Sequence, residues 1–470
     1  MRVVLLYLLA FLTISSKSLL AQANENTLTE DQFLWYVKKF HPIAMLSNLV
    51  VSNANSNLLK SRGNFDPYAY GDLSQKNFDE KNYYHLLESG LKIPTWDGVE
   101  LKANYQDARG FYLNPETKLP NNGLWQAGIT VPLGQGLFID ERRAVLKKAK
   151  ILQSASLAEQ EIMLNDLFFE SSKHYWKWVI DWNKLKVYDE AVNIAQERFI
   201  AVKESYLQGD KPAIDTLEAY IQVQTRIIER NQLKLDYQKT TLELSNYLWF
   251  ENNIPLEISD SLTPPLYQEL IIEPEIDAEE FQNRLQNARI NHPNLKAYSF
   301  KESILQLNRK LKVEKLKPKI NVNYNLLSEP NTTLSRTDYA LNNNKWGAHI
   351  SFPILLRQQR GELQQANIKL KENDYQLSLK QLEIENKMRA YYNEQIILKQ
   401  QYGLYLSATS NYSKLLRGER TKFNSGESTL FIINSRELKL LDTKIKFLES
   451  IAKYQIAKNG LLWAAGILYK

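Results

Sequence analysis

Two hydrophobic periods take turns along this chain. Val99, Leu101, Ala103 and Tyr105 alternate with Glu100, Lys102 and Asn104; Trp125, Ala127, Ile129 and Val131 alternate with Gln126, Gly128, Thr130 and Pro132; Ile320, Val322, Tyr324 and Leu326 alternate with Asn321, Asn323 and Asn325. A period of two with one polar face predicts strands that are apolar on one side and wet on the other, as in an outer-membrane barrel. A half-buried soluble sheet carries the same alternation. Elsewhere the period lengthens. Tyr188, Val192, Ala195, Phe199, Val202 and Tyr206 follow steps of four and three, which is the seam of helices packed side by side. The surrounding stretch 137–208 contains neither Gly nor Pro, room for one helix of ~108 Å at ~1.5 Å per residue.

The pattern is written twice. His41-Pro42 recurs as His292-Pro293, each opening a helical stretch that runs to about Arg62 and Lys315. Trp125-Gln-Ala-Gly-Ile-Thr-Val-Pro132 recurs as Trp346-Gly-Ala-His-Ile-Ser-Phe-Pro353, an offset of 346 − 125 = 221, and Tyr206-Leu-Gln-Gly209 recurs as Phe423-Asn-Ser-Gly426, an offset of 423 − 206 = 217. Moved by that offset, the helical seam falls on Tyr405, Thr409, Tyr412, Leu416, Glu419 and Phe423, with only Thr409 and Glu419 departing from apolar character. No Pro follows Pro353, so a second long helix is predicted, with bends at Gly403 and Gly418. Helical patterning resumes after each turn glycine, over 214–249 and 431–457. A glycine there ends a helix in the left-handed conformation, so each half closes on a long αα-hairpin. Asp97-Gly98 reads as a tight hairpin turn, whereas 107–124 and 327–345 read as long loops; short turns on one side and long loops on the other fit an outer-membrane barrel.

Composition narrows the function classes. Arg2, the apolar run 3–14 and Ala21-Gln22-Ala23 read as an export signal over residues 1–23. There is no Cys, hence no disulfide framework, thiolate nucleophile or lipid-modified cysteine. No later segment is apolar for the ~18 residues of a membrane helix, which leaves a closed β-barrel as the route into lipid. The net charge of +6 is spread over 59 basic and 53 acidic residues, a solvated surface rather than a nucleic-acid footprint. The five histidines (His41, His85, His174, His292, His349) have no metal-ligand spacing, and no phosphate loop or nucleophile elbow occurs. No enzyme activity, metal or cofactor is expected. His41 and His292 are expected to cap or pack helices. His174, among Tyr175, Trp176, Trp178 and Trp182, is expected in a packed belt.

On these residues the chain resembles the TolC-like outer-membrane efflux protein family. The resemblance rests on the duplicated plan, on Val131-Pro-Leu-Gly-Gln-Gly136 and Ser351-Phe-Pro-Ile354 closing strands before long helices, and on Tyr206-x-x-Gly209 with Ile214-Asp-Thr-Leu-Glu-Ala219 and its counterpart Gly426–Glu437. It implies a mixed α+β fold: long antiparallel helical hairpins forming a helical barrel, with four strands per copy joining a shared trimeric outer-membrane β-barrel. The stretches 83–95 and 98–106 look like an extra hairpin that would make six. The domains expected are a first repeat over 24–250, a linker over 251–276 and a second repeat over 277–470.

The function implied is a passive exit duct spanning outer membrane and periplasm, within a tripartite efflux or type I secretion system. Its partners would be two further copies, a periplasmic adaptor, an inner-membrane pump or ABC transporter, and outer-membrane lipid. Tyr206, Gly209, Asp210, Phe423, Gly426 and Glu427 are the candidate adaptor-contacting tip, and Trp125 and Trp346 the candidate membrane girdle. Some family members constrict the periplasmic mouth with aspartates beyond the second hairpin, but here that stretch reads Phe431-Ile-Ile-Asn-Ser-Arg-Glu437. Asp215 and Glu218 are then the candidate pore entrance, a solvated helix face being the plainer reading. A periplasmic coiled-coil adaptor or scaffold is the rival reading of the whole chain.

Overall fold

A computed structural model describes residues 27–259, 261–270, 272, 274, 276–330 and 342–469. The export segment at 1–23 and positions 331–341 of the second long loop lie outside the described residues. The chain compacts as two units, each drawing on both halves: one holds 27–46, 163–288 and 384–469, the other Ser47–Ile162 and Arg289–Glu383.

The second of these units carries the sheet. Strands β1 (Tyr68–Phe78), β2 (Lys81–Pro94), β3 (Glu100–Arg109), β4 (Leu124–Pro132), β7 (Lys319–Ser328) and β8 (Asn344–Ser351) pair in that order, every neighbour antiparallel. (β5, Trp249–Phe250, and β6, Ile254–Pro255, form a separate two-strand ladder in the other unit.) Six strands, rather than four, are therefore present among the described residues. β1 escaped the sequence reading because its polar, mostly exposed run Asp72-Leu-Ser-Gln-Lys-Asn77 carries no clean alternation. Its turn is also unorthodox: Asp79 and Glu80 both take positive φ, 51° and 57°, the mirror-image turn that usually recruits Asn-Gly. This two-residue turn lies at the same end of the sheet as the two long loops, so the expected segregation of short turns from long loops is broken there.

Register explains the composition of the strands. Glu88, Lys102, Asn104, Gln106, Gln126, Asn323, Asn325 and His349 fall on one face; Leu91, Leu101, Ala103, Ala127, Ile129, Val322, Leu326 and Ile350 fall on the other. On the polar face three glycines each oppose an asparagine: Gly90 and Asn104, Gly128 and Asn325, Gly347 and Asn323. A Cβ on Gly90 would lie 2.5 Å from the Cβ of Asn104, so glycine leaves room for the amide to lie flat on the sheet.

Helices continue from the strands. α1 (Glu30–Phe40) and α2 (Pro42–Arg62) precede the sheet, and α3 (Glu141–Leu207, 67 residues) with α4 (Ala213–Ser245) follow its first part. α5 (Ala278–Asn291), α6 (Pro293–Glu314), α7 (Arg357–Asn424, 68 residues) and α8 (Leu430–Ala464) repeat the order around β7 and β8. Both His-Pro steps behave alike. The Nδ1 of His41 accepts the N–H of Ile43 at 3.2 Å, and that of His292 accepts the N–H of Asn294 at 3.1 Å. Each imidazole thus caps a helix whose first residue is proline, where no N–H is needed. Burial lowers the His41 pKa, which keeps Nδ1 free to accept. α7 runs through Gly403 and Gly418 without a break, and α8 continues seven residues past the predicted 457.

The core of the first unit contains the predicted aromatic belt. Tyr175, Trp176 and Trp178 are buried with Phe33, Val37, Leu244 and Leu448, while Trp182 stays partly exposed. The His174 imidazole lies 3.8 Å from Glu243, and burial lowers its pKa.

Candidate functional site

The four long helices meet in pairs at two glycine turns. α3 ends when Gly209 adopts φ +87°; its N–H bonds to the Tyr206 carbonyl at 3.0 Å, and the Asp210 N–H reaches back to Ser205 at 2.9 Å. α7 ends identically: Gly426 at φ +79°, its N–H on the Phe423 carbonyl at 3.1 Å, and the Glu427 N–H on Lys422 at 2.8 Å. Both are Schellman motifs, which satisfy carbonyls left open at a helix end. No atom lies within 4 Å of where a Cβ would stand on either glycine, so glycine is needed here for its backbone and not for space.

The two turns touch. The Lys211 ammonium sits 4.4 Å from the ring centre of Phe423, a cation–π contact. Behind it Val202, Ala219 and Leu430 are buried, with Phe199 and Phe423 against them, and next to these lie Leu416, Ile433 and Leu440 with Tyr412. The repeated seam is therefore the packing seam of both hairpins. Glu419, one of its two polar departures, accepts the Ser428 hydroxyl at 2.5 Å across the second turn.

A polar cluster crosses the same four helices. Arg198 of α3 grips Glu437 of α8 through two bonds, 2.9 and 2.8 Å, and donates a third to Asn434 Oδ1 at 2.9 Å. Glu437 also accepts Arg420 of α7 at 3.4 Å, and Asn434 donates to Glu218 of α4 at 3.0 Å. The Arg198 and Glu437 side chains are 12% and 7% exposed, so this is a largely desolvated ion pair in which every charge has a partner. Glu218, expected from the sequence only as a candidate pore-entrance residue, joins this cluster through Asn434, whereas Arg198, Arg420, Asn434 and Glu437 were not among the candidate site residues. A signal existed: Leu430, Asn434, Glu437 and Leu441 follow steps of four, three and four, so two polar residues occupy seam positions.

Tyr206, Gly209, Asp210, Gly426 and Glu427 are exposed around the turns, and Phe423 is half-buried. Asp215 lies in the first turn of α4, its N–H on the Pro212 carbonyl at 3.1 Å. Exposed apolar residues crowd the same end of the unit: Leu207, Ile214, Leu217 and Phe431. In the sheet unit Trp125 and Trp346 project from the apolar face, 52% and 71% exposed, each opposite a tyrosine, Tyr105 and Tyr324. Among the described residues no group of acidic, His or Cys side chains is arranged to hold a metal ion, and no helix is long and apolar enough to cross a membrane.

The duplicated long hairpins and the antiparallel sheet give the chain a fold that solved outer-membrane channels share. Solved structures with this fold include a membrane protein from Pseudomonas aeruginosa (TM-score 0.67, 13% identity, 93% of this chain and 90% of that one). The CmeC outer membrane channel of Campylobacter jejuni matches at TM-score 0.65 and 13% identity over 93% and 85%, and the outer membrane protein VceC of Vibrio cholerae at 0.65 and 10% over 94% and 97%. No protein-family model and no curated protein matches the chain.

Proposed function

We propose that the chain is a passive outer-membrane exit duct: three copies share one β-barrel in lipid, and their hairpins form a conduit through the periplasm that ends at the Gly209 and Gly426 turns. The observation that carries this reading is the sheet, whose apolar face is exposed along its middle and whose opposite face is lined with amides and charges, in a chain with the fold of outer-membrane channels. An open sheet edge cannot rest in lipid, and six strands are too few for the smallest common barrel of ~8, so copies must combine. α4 supports this independently. Ile214, Ile221, Ile228, Leu235 and Leu242 recur at seven-residue steps and are 47–70% exposed, a stripe suited to a neighbouring copy's helix. The repeats over 24–250 and 277–470, joined by 251–276, each supply one hairpin.

The duct itself supplies no energy, so a periplasmic adaptor docked at the turns and an inner-membrane pump or ABC transporter complete the system. A periplasmic coiled-coil adaptor, the rival reading, has no use for a sheet with a bare apolar face. Trimers that require detergent and change mobility on heating, recovered from outer membranes, are expected; a stable folded monomer in mild detergent would defeat the reading. Peptide tags inserted at Asn342 and Asp210 should be labelled on intact cells only at Asn342.

A further inference from the structure

The first hairpin is built into the sheet. Glu88 of β2 accepts the Tyr70 hydroxyl from β1 at 2.7 Å and, from β3, Lys102 at 2.7 Å, Asn104 at 2.9 Å and Gln106 at 3.0 Å; Gln106 in turn accepts Gln126 of β4 at 3.0 Å. The Lys92 ammonium lies 4.6 Å from the Tyr70 ring centre. β2 and β3 are in register over ten residue pairs, from His85 with Arg109 to Pro94 with Glu100. β3 therefore has no open edge, and the two free edges of the six-stranded sheet are β1 and β8. Five successive antiparallel pairings make β1 and β8 run in opposite directions, so β8 of one copy laid beside β1 of the next continues the alternation without a break. The faces continue too: Asp72 and Ser74 of β1 share the polar face with His349 and Ser351 of β8, and Leu73 shares the apolar face with Ile350.

We infer that neighbouring copies join β1 to β8, so that all six strands of each copy enter the wall and the trimer, on which this inference rests, closes an eighteen-stranded barrel rather than the twelve strands the family resemblance implies. Closure at twelve would strip β2 from β3 and leave a polar hairpin outside the wall. The difference is large: with strands ~4.8 Å apart and tilted ~40°, eighteen give a backbone diameter of roughly 36 Å and twelve roughly 24 Å. Barrels of ~16–18 strands enclose an aqueous channel, which suits a face covered by Glu88, Lys102 and a row of asparagines.

The chain has no native Cys, so introduced thiols report alone. In the full-length protein in outer membranes, Asp72→Cys or Ser74→Cys on β1 is combined with Lys345→Cys, His349→Cys or Ser351→Cys on β8, and in a parallel series Glu100→Cys or Ala108→Cys on β3 is combined with the same three. On oxidation at least one β1–β8 pair should give a covalent species of three chains, and no β3–β8 pair should. Cross-links confined to β3–β8, or absent from both series, overturn the inference. Single-particle imaging of the purified complex should count eighteen strands, and twelve refutes it. A covalent β1–β8 species with another number of chains leaves the edge assignment standing and overturns the trimer instead.

Discussion

Removing Glu437 tests whether the two hairpins are locked together near their turns. Its carboxylate receives two bonds from Arg198, with both side chains at least 88% removed from solvent. Truncating one partner of such a pair strands the other charge, a cost of ~3–5 kcal/mol. Arg420 contributes little to this figure, because it is 41% exposed and its bond is long at 3.4 Å. Asn434 would still accept one Arg198 N–H, which places Glu437→Ala at the lower end, about 3 kcal/mol. Felt as local opening, that accelerates amide hydrogen exchange roughly 150-fold, since ~1.4 kcal/mol is a factor of ten. The acceleration should appear around 198–206 and 430–437 by mass spectrometry of the detergent-solubilised assembly, and not in peptides of the sheet. The paired change Arg198→Met with Glu437→Leu removes both charges at similar volume and should fall within ~1 kcal/mol of the parent. Exchange in Glu437→Ala within a few-fold of the parent, or a paired variant no better than the single ones, would refute the argument that a desolvated ion pair holds these helices.

Three further outcomes are expected. Gly209→Val and Gly426→Val each force a side chain into left-handed backbone at ~1–2 kcal/mol; with no atom near the new Cβ, Asn in place of Val should recover most of the loss in exchange protection at Asp210 and Glu427, and the Val pair should abolish export in cells while the trimer persists on gels. Gly90→Val drives a Cβ to 2.5 Å from Asn104 Cβ and 2.6 Å from the Ala103 carbonyl, so heat-modifiable trimers should disappear from outer membranes, whereas Gly71→Val, with open space around it, should assemble. Burial raises the Glu30 carboxyl pKa, against hydrogen bonds from Ser172 and Asn459 that lower it; the folded state then holds the proton more tightly than the unfolded state, and stability falls as pH rises from the unfolded carboxyl's pKa through the folded one. Glu30→Gln should therefore melt higher than the parent at neutral pH, with the gap closing in acid, as scanning calorimetry can read.

Much of this fold was written locally. The absence of Gly and Pro over 137–208 was enough for a 67-residue helix, because nothing in that stretch breaks the i to i−4 ladder, and a glycine after each seam was enough for the turns, because only left-handed backbone completes a Schellman motif. The His-Pro steps likewise encode their own caps, through an imidazole nitrogen two residues from the N–H it accepts. What the sequence could not announce depends on residues far apart in the chain. β1 is a strand because β2 lies beside it and Tyr70 reaches Glu88, not because its own residues alternate. The Asn104–Gly90, Asn325–Gly128 and Asn323–Gly347 pairs exist only once register is set. Arg198 and Glu437, 239 positions apart, become partners only when the first hairpin packs on the second. Periodicity states which face of an element is apolar; which charge waits on the opposing element is decided by the packing itself.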